Sequence, residues 1–260
     1  MIKYFVSNRL NLLFYFLKKD IKARYAGSGL GLLWTILVPL VQIVLFWFVF
    51  SEVMRARPYA ATQIPYIYFL LSSFFFWLAF SEGVSRSSTS IIDNAETVKK
   101  VSFPNIFLPV TATISSYLLN IIGFFIFLLA YAMVSPLSPV IVLVIPILLL
   151  QFLFSLGLGM LMAALLPYLR DIGQILGYVL QGIFFLSPII YSLESIPEKQ
   201  RVLFYFNPFT YFASSYHAII LLKQMPPLLY LMAILLLSTA SLTGGFYIFK
   251  KLKDGFADVL

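Results

Sequence analysis

Apolar residues run in long uninterrupted stretches, and the charged residues fall between those stretches rather than within them. Uncharged segments separate Arg24 from Glu52 (27 residues), Arg57 from Glu82 (24) and Lys100 from Arg170 (69). Two more lie between Asp171 and Glu194 (22) and between Lys223 and Lys250 (26). About 20 helical residues cross a hydrocarbon core. The longest segment is therefore enough for two crossings, joined by the turn Ser135-Pro136-Leu137-Ser138-Pro139. The pattern predicts an all-α polytopic membrane protein with six spanning helices, over 30–53, 63–84, 107–134, 140–166, 172–191 and 227–249.

Two regions depart from the spanning pattern. At the start, Ile2, Val6, Leu10, Leu13, Leu17 and Ile21 recur at helical spacing, with Lys3, Ser7, Asn11, Lys18 and Lys22 on another face. Residues 1–28 are therefore expected to hold an amphipathic helix lying in the membrane interface. A signal peptide is not expected, because Lys18-Lys19-Asp20 follows the short apolar run where a cleavage site would stand. Near the end, Val202 to Leu222 is uncharged for 21 residues and competes for a seventh span. Asn207-Pro208 interrupts it, and proline removes a helical hydrogen bond.

Charge separates six spans from seven. With six, 13 Lys and Arg lie on one side (residues 1–28, 84–103, Arg170 and 250–260), against Arg55, Arg57, Lys199, Arg201 and Lys223 on the other. The positive-inside rule then places both ends in the cytoplasm. Seven spans would put the two basic ends on opposite sides. Residues 192–226 become an outer segment of two short re-entrant helices that dips into the membrane without crossing.

Composition supports this reading and narrows the chemistry. Of the 260 residues, 61% are hydrophobic and 11% charged, whereas a soluble domain is about 25% charged. The net charge of +8 is accounted for by topology and anionic lipid head groups, so nucleic acid is not an expected partner. With no cysteine and the single histidine His217, no metal centre is expected. No acid or base falls mid-span, since Glu82, Arg86 and Asp93 sit at or beyond the inner end of the second helix; this disfavours an ion-coupled transporter working alone. Gln42, Asn120, Gln151 and Gln181 read as helix–helix partners before they read as ligands. Gly27-Ser28-Gly29-Leu30-Gly31 lacks the lysine of a nucleotide loop and reads as a hinge, or as a set of amides meeting an anionic head group. The ten scattered acids do not suggest an enzyme.

Three groups of residues resemble a known family. The first is Leu17-Lys18-Lys19-Asp20-Ile21-Lys22-Ala23-Arg24-Tyr25, continuing through Gly29-Leu30-Gly31-Leu32-Leu33-Trp34 to Pro39-Leu40. The second runs from Ser90-Ile91-Ile92-Asp93-Asn94 through Val101-Ser102-Phe103-Pro104 to Leu108-Pro109. The third is Tyr168-Leu169-Arg170-Asp171-Ile172, then Ser187-Pro188-Ile189-Ile190-Tyr191, then Asn207-Pro208. In this order the chain resembles the membrane subunit of ABC-2 type polysaccharide exporters of O-antigen, teichoic acid and capsule, most of all the O-antigen permeases. Thr97 and His217 depart from that pattern, where an aliphatic residue and an arginine are more common.

The resemblance implies a half-transporter in a bacterial inner (cytoplasmic) membrane: a homodimer of this chain with two copies of a separate ABC ATPase subunit. ATP and Mg belong to that partner, and no cofactor is expected in this chain. The implied substrate is a polysaccharide on a lipid diphosphate. The alternatives are an ABC-2 exporter of a small molecule or drug, and, from a different class, a membrane-bound lipid-modifying enzyme.

Three candidate sites follow. Residues 94–101 (Asn94, Ala95, Glu96, Thr97, Val98, Lys99, Lys100 and Val101) lie between the second and third spans and are expected to form a coupling helix docking on the ATPase. Asp93-Asn94 would cap it, Lys99-Lys100 suit its C-terminal dipole, and Pro104 stops it; an ordinary basic loop is the alternative. Lys22 and Arg24, nearest the hinge, are the candidates for the lipid-diphosphate head group, with Lys18 and Lys19 as topogenic charge. Ser187, Pro188, Tyr191, Asn207 and Pro208 mark an outer gate, where Phe204, Tyr205, Phe206, Phe209, Tyr211 and Phe212 crowd the break. A purely structural role for that segment is the competing reading.

Overall fold

The computed structural model describes residues 2–24, 27–56, 59, 64–100 and 103–260, and the side chains of these except residues 2–9 and 32. Tyr25, Arg57, Val101, Ser102 and the side chains of Ile2, Lys3, Val6 and Ser7 fall outside that description. Among the described residues all regular structure is helical. In chain order the helices are α1 (Ile2–Ala23), α2 (Trp34–Trp47), α3 (Tyr66–Thr89), α4 (Ala95–Lys100), α5 (Phe107–Val134) and α6 (Val144–Leu165). Then follow α7 (Ile172–Phe185), α8 (Glu198–Tyr205), α9 (Pro208–Ile220), α10 (Leu228–Leu252) and α11 (Phe256–Val259).

Among the described residues, five segments are long and apolar enough to cross a membrane: Trp34–Val53, Tyr66–Thr89, Phe107–Val134, Pro139–Leu165 and Leu228–Val259. The third matches its expected range of 107–134. The first extends α2 by a widened turn over Phe48–Val53, and a 3-10 turn over Pro139–Leu143 leads into α6. α3 runs five residues past its expected end at 84, to Thr89, so Arg86 joins Glu82 inside the helix. The expected span 172–191 needs correction. α7 stops at Phe185 after 14 residues, about 21 Å, short of a ~30 Å core. Ser187-Pro188 is the physical reason, because Pro188 lacks the backbone donor and disfavours helical geometry at the residue before it.

Side-chain contacts fix the directions of the helices. Ser241 donates to the Phe154 carbonyl at 2.9 Å and the Tyr168 hydroxyl to that of Leu252 at 3.0 Å, so α6 and α10 run parallel. At the end away from Tyr168, the Lys223 ammonium donates to Ser135 at 3.0 Å. The chain between Arg170 and Lys223 therefore travels the length of the bundle, with α7 covering part of the distance.

α3 is the hub. Two-thirds of its apolar window is buried, against none of that in Trp34–Val53. Its aromatic face locks the core: Phe76 stacks on Tyr216 at 3.7 Å, Phe80 on Phe154 at 5.5 Å, and Trp77 meets Phe209 edge-on at 4.9 Å. A smaller cluster of Phe16, Ile91, Val98, Leu108, Met160, Phe249 and Phe256 closes the basic end. Phe16 was not in the expected apolar stripe of α1. Two faces are in use: Phe16, stacked on Phe103 at 5.1 Å, packs onto the bundle, while Leu10, Leu13, Leu17 and Ile21 stay exposed or half-buried.

Candidate functional site

The basic end holds a network of charges that joins α1 to the bundle. Asp20 and Arg24 lie one helical turn apart and both turn inward. Arg24, with a side chain only 2% exposed, forms an ion pair with Glu82 and donates to Ser115 at 3.1 Å and Ser116 at 2.7 Å. Asp20 accepts from Arg86 at 2.7 Å and from Ser115. Asn120 donates to the second Glu82 oxygen at 2.7 Å. Next to Asp20 in the chain, Lys19 donates to the Asn94 side chain at 2.8 Å. α1 is thus bonded to α3, to α5 and to the segment that leads into α4.

This network corrects two expectations. Asn120 lies at the middle of α5, so the Glu82 carboxylate, expected at the inner end of its span, reaches well into the bundle. Arg24 and Lys22 also part company: Lys22 is exposed, whereas the Arg24 guanidinium is buried against Glu82. Glu82, Ser115 and Ser116 lie 58 and more residues from Arg24, so no local motif announces these contacts.

A turn over residues 27–31 leads into α2. Gly27 and Gly31 adopt φ of +83° and +50°, values that side-chain-bearing residues rarely take, and Ser28 accepts from the Trp34 indole at 2.9 Å. Beyond it, an open crevice of about 370 Å³ lies between α2, α3, α5 and α7, beside Glu82.

The expected coupling segment forms α4 over Ala95–Lys100, with Asn94 in a 3-10 turn over Ile92–Asn94. Val98 is buried in the basic-end cluster, Thr97 is half-buried, and Glu96, Lys99 and Lys100 face outward. Glu96 pairs with Lys100. The expected cap is corrected: the Asn94 amide donates back to the Ser90 carbonyl at 2.9 Å, and Asp93 accepts from Thr89 at 2.7 Å.

At the opposite end, Asn207 and Pro208 start α9 after α8. The Asn207 side-chain oxygen accepts from the Phe209 amide at 2.9 Å, a helix N-cap, with Pro208 in the first turn. Its amide donates to Ser187 and to the Ile183 carbonyl, each at 2.8 Å. Pro188 is buried, and Tyr191 meets Phe204 edge-on at 5.9 Å. The structure thus brings Ser187, Asn207 and Pro208 together as a pinned joint. Of the six aromatics at the break, Phe209 and Phe212 are wholly buried in the core, while Tyr205 and Phe206 are exposed. Burial pushes the His217 imidazole on α9 down to about 3, so it is uncharged at neutral pH, next to Ser73 at 3.0 Å.

The uncharged polar residues of the spans divide. Gln151 is buried and satisfied by the Phe76 carbonyl at 2.8 Å, Tyr117 at 3.1 Å and Tyr216 at 2.8 Å, as expected of a helix–helix partner. Asn120 also bonds between helices. Gln42 and Gln181 are exposed and bond to nothing among the described residues.

Among the described residues, an all-helical bundle with long apolar helices and a buried charge network defines the class: a polytopic membrane protein. Residues 11–221 match the model of the ABC-2 type transporter family, and the chain belongs to that family. It is similar to the O-antigen export system permease protein RfbA of Klebsiella pneumoniae, 31% identical over 268 residues that cover all of this chain and 98% of that one. It is also similar to the protein of the same name from Myxococcus xanthus, 30% identical over 252 residues, covering 95% and 94% of the two chains.

Proposed function

We propose that this chain is the membrane subunit of an ATP-driven exporter that moves a lipid-diphosphate-linked polysaccharide, of the O-antigen kind, out of the cytoplasm. The full-length similarity to O-antigen export permeases carries this reading. Two copies of the chain work with two copies of an ABC ATPase that hydrolyses the nucleotide. The chain sits in a bacterial inner membrane and crosses six times, with both ends in the cytoplasm. α7 and the residues after it supply the fifth crossing, in keeping with the paths of α6 and α10. Lys22, exposed beside Lys18 and Lys19, attracts the diphosphate; Arg24 acts from behind as the tether of α1.

α4 is the coupling helix. Its buried Val98 seats it on the bundle, and its outward charges face the ATPase. The Lys19–Asn94 bond gives a movement of this segment a direct route to α1 and the glycine turn. Exchanging the charges by Glu96→Lys with Lys99→Glu alters exposed groups and leaves the fold intact. The pair of substitutions should abolish copurification with the ATPase and its stimulated hydrolysis. Unchanged values for both would remove α4 from the coupling role.

Residues 192–226 gate the outer exit, moving about the pinned Ser187–Asn207 joint. Asn207 is too deeply bonded to carry a probe, whereas Phe206 is 82% exposed. In this cysteine-free chain, Phe206→Cys should react with an impermeant maleimide faster when substrate and ATP are both present. A rate indifferent to the transport cycle would leave the segment a structural role only.

A further inference from the structure

We propose that the crevice between α2, α3, α5 and α7 is a subsite for the sugar rings of the transported polymer, with Glu82 as the acceptor of their hydroxyls. The inference rests on the exporter reading above and assigns part of its substrate to named residues.

The lining mixes apolar Val38, Pro39, Leu78 and Leu180 with polar groups that a lipid tail would leave unpaired. The side chains of Gln42 and Ser85 are exposed there and bond to nothing among the described residues, and the buried Thr35 hydroxyl likewise has no partner among them. Unpaired polar groups facing hydrocarbon each cost free energy, so a ligand or water that satisfies them is favoured over an acyl chain. Glu82 adds a fixed acceptor. Arg24 and Asn120 hold its two oxygens in place, yet 34% of the side chain remains exposed, so lone pairs are left for a donor from the crevice.

Electrostatics narrows the ligand further. The Arg24 guanidinium offsets the Glu82 carboxylate, and Arg86 offsets Asp20 next to it, so the site offers little net charge to a cation. A diphosphate would meet the carboxylate edge directly and be repelled. A neutral, hydroxyl-rich ligand suits both facts, because a carboxylate, an amide and hydroxyls together accept and donate. Trp34 completes the set. Its indole N–H is taken up by Ser28, and the ring, 39% exposed, presents a flat apolar face to the C–H side of a sugar.

The test uses the full chain with its ATPase in cells that make the polymer, and the probe is the cells' own lipid-linked polysaccharide. A photo-crosslinking amino acid at position 42 should yield a carbohydrate-bearing adduct after illumination, and the same amino acid at Leu236, exposed on α10, should not. Gln42→Leu should lower polysaccharide at the cell surface about tenfold, the equivalent of one hydrogen bond, with the amount of assembled complex retained. Absence of an adduct at 42, or equal adducts at 42 and 236, would overturn the subsite if the native chain exports polysaccharide normally. Failure of the native chain to restore surface polysaccharide to cells lacking it would instead overturn the exporter reading, and the subsite with it.

Discussion

Gly245→Val is expected to leave essentially no folded protein in the membrane. α6 and α10 run parallel and touch backbone to backbone. A Cβ added at Gly245 would lie 2.0 Å from the Gly157 carbonyl oxygen, and one added at Gly157 would lie 2.3 Å from the Ser241 carbonyl carbon. Backbone atoms cannot rotate away as a side-chain tip can, so the helices must separate along their length. Ser241 sits in the same contact and bonds across it. In lipid no hydrophobic gain drives helices together, and association rests on close packing of small residues and interhelical hydrogen bonds. Separating the helices removes both. Overpacking ordinarily costs about 1–3 kcal/mol, and displacing two backbones puts this variant at or above the top of that range. The neighbouring glycine provides the control, because a Cβ at Gly244 meets nothing within 4 Å. Fluorescence-detected size exclusion of the three proteins should show a single sharp peak for native and Gly244→Ala and none for Gly245→Val. A sharp peak for Gly245→Val would mean that the α6–α10 contact is not as close as described.

Sequence patterning located elements where one physical rule acts alone. The range of α5 was legible because an apolar run lies between Pro104 and a Ser-Pro turn, with nothing competing. The break between α8 and α9 was legible for the same kind of reason, since Asn207-Pro208 is a local stop. Counting uncharged residues places the end of α7 too late because it is blind to backbone: Leu186 to Tyr191 are apolar enough for a span, but Pro188 prevents the helix from using them. The charge network was illegible for a different reason. Polarity along one helix says which face is polar, not what the face meets. Lys18 to Arg24 reads as a basic surface strip, and only the packing of Phe16 turns Asp20 and Arg24 inward toward acids and bases on α3. Glu82 reads as the end of a span for as long as the extension of α3 to Thr89 is unknown. Gln42 and Gln151 look alike in sequence, yet one is saturated with partners and the other faces a crevice.

Arg24→Met should destabilise the protein strongly, and removal of Glu82 as well should restore much of the loss. The guanidinium lies between two acids: paired with Glu82, 3.6 Å from Asp20, and donating to two serines of α5. Without it, Glu82 keeps only Asn120, and Asp20 must rely on Arg86 and Ser115. Breaking one side of a buried pair costs about 3–5 kcal/mol; the partial exposure of Glu82 puts the expected loss near the lower bound, about 3 kcal/mol. Replacing both partners by apolar groups is often close to neutral. Arg24→Met with Glu82→Met should therefore melt nearer to the native protein than Arg24→Met alone. The comparison of melting temperatures in detergent, backed by protease cleavage in the glycine turn as α1 comes loose, reads this directly. Equal melting of the single and double variants would mean that Glu82 is not the partner that matters. Native stability in Arg24→Met, accompanied by loss of export, would move the guanidinium from the tether to the substrate's head group, because only a ligand absent from the resting protein could then depend on it.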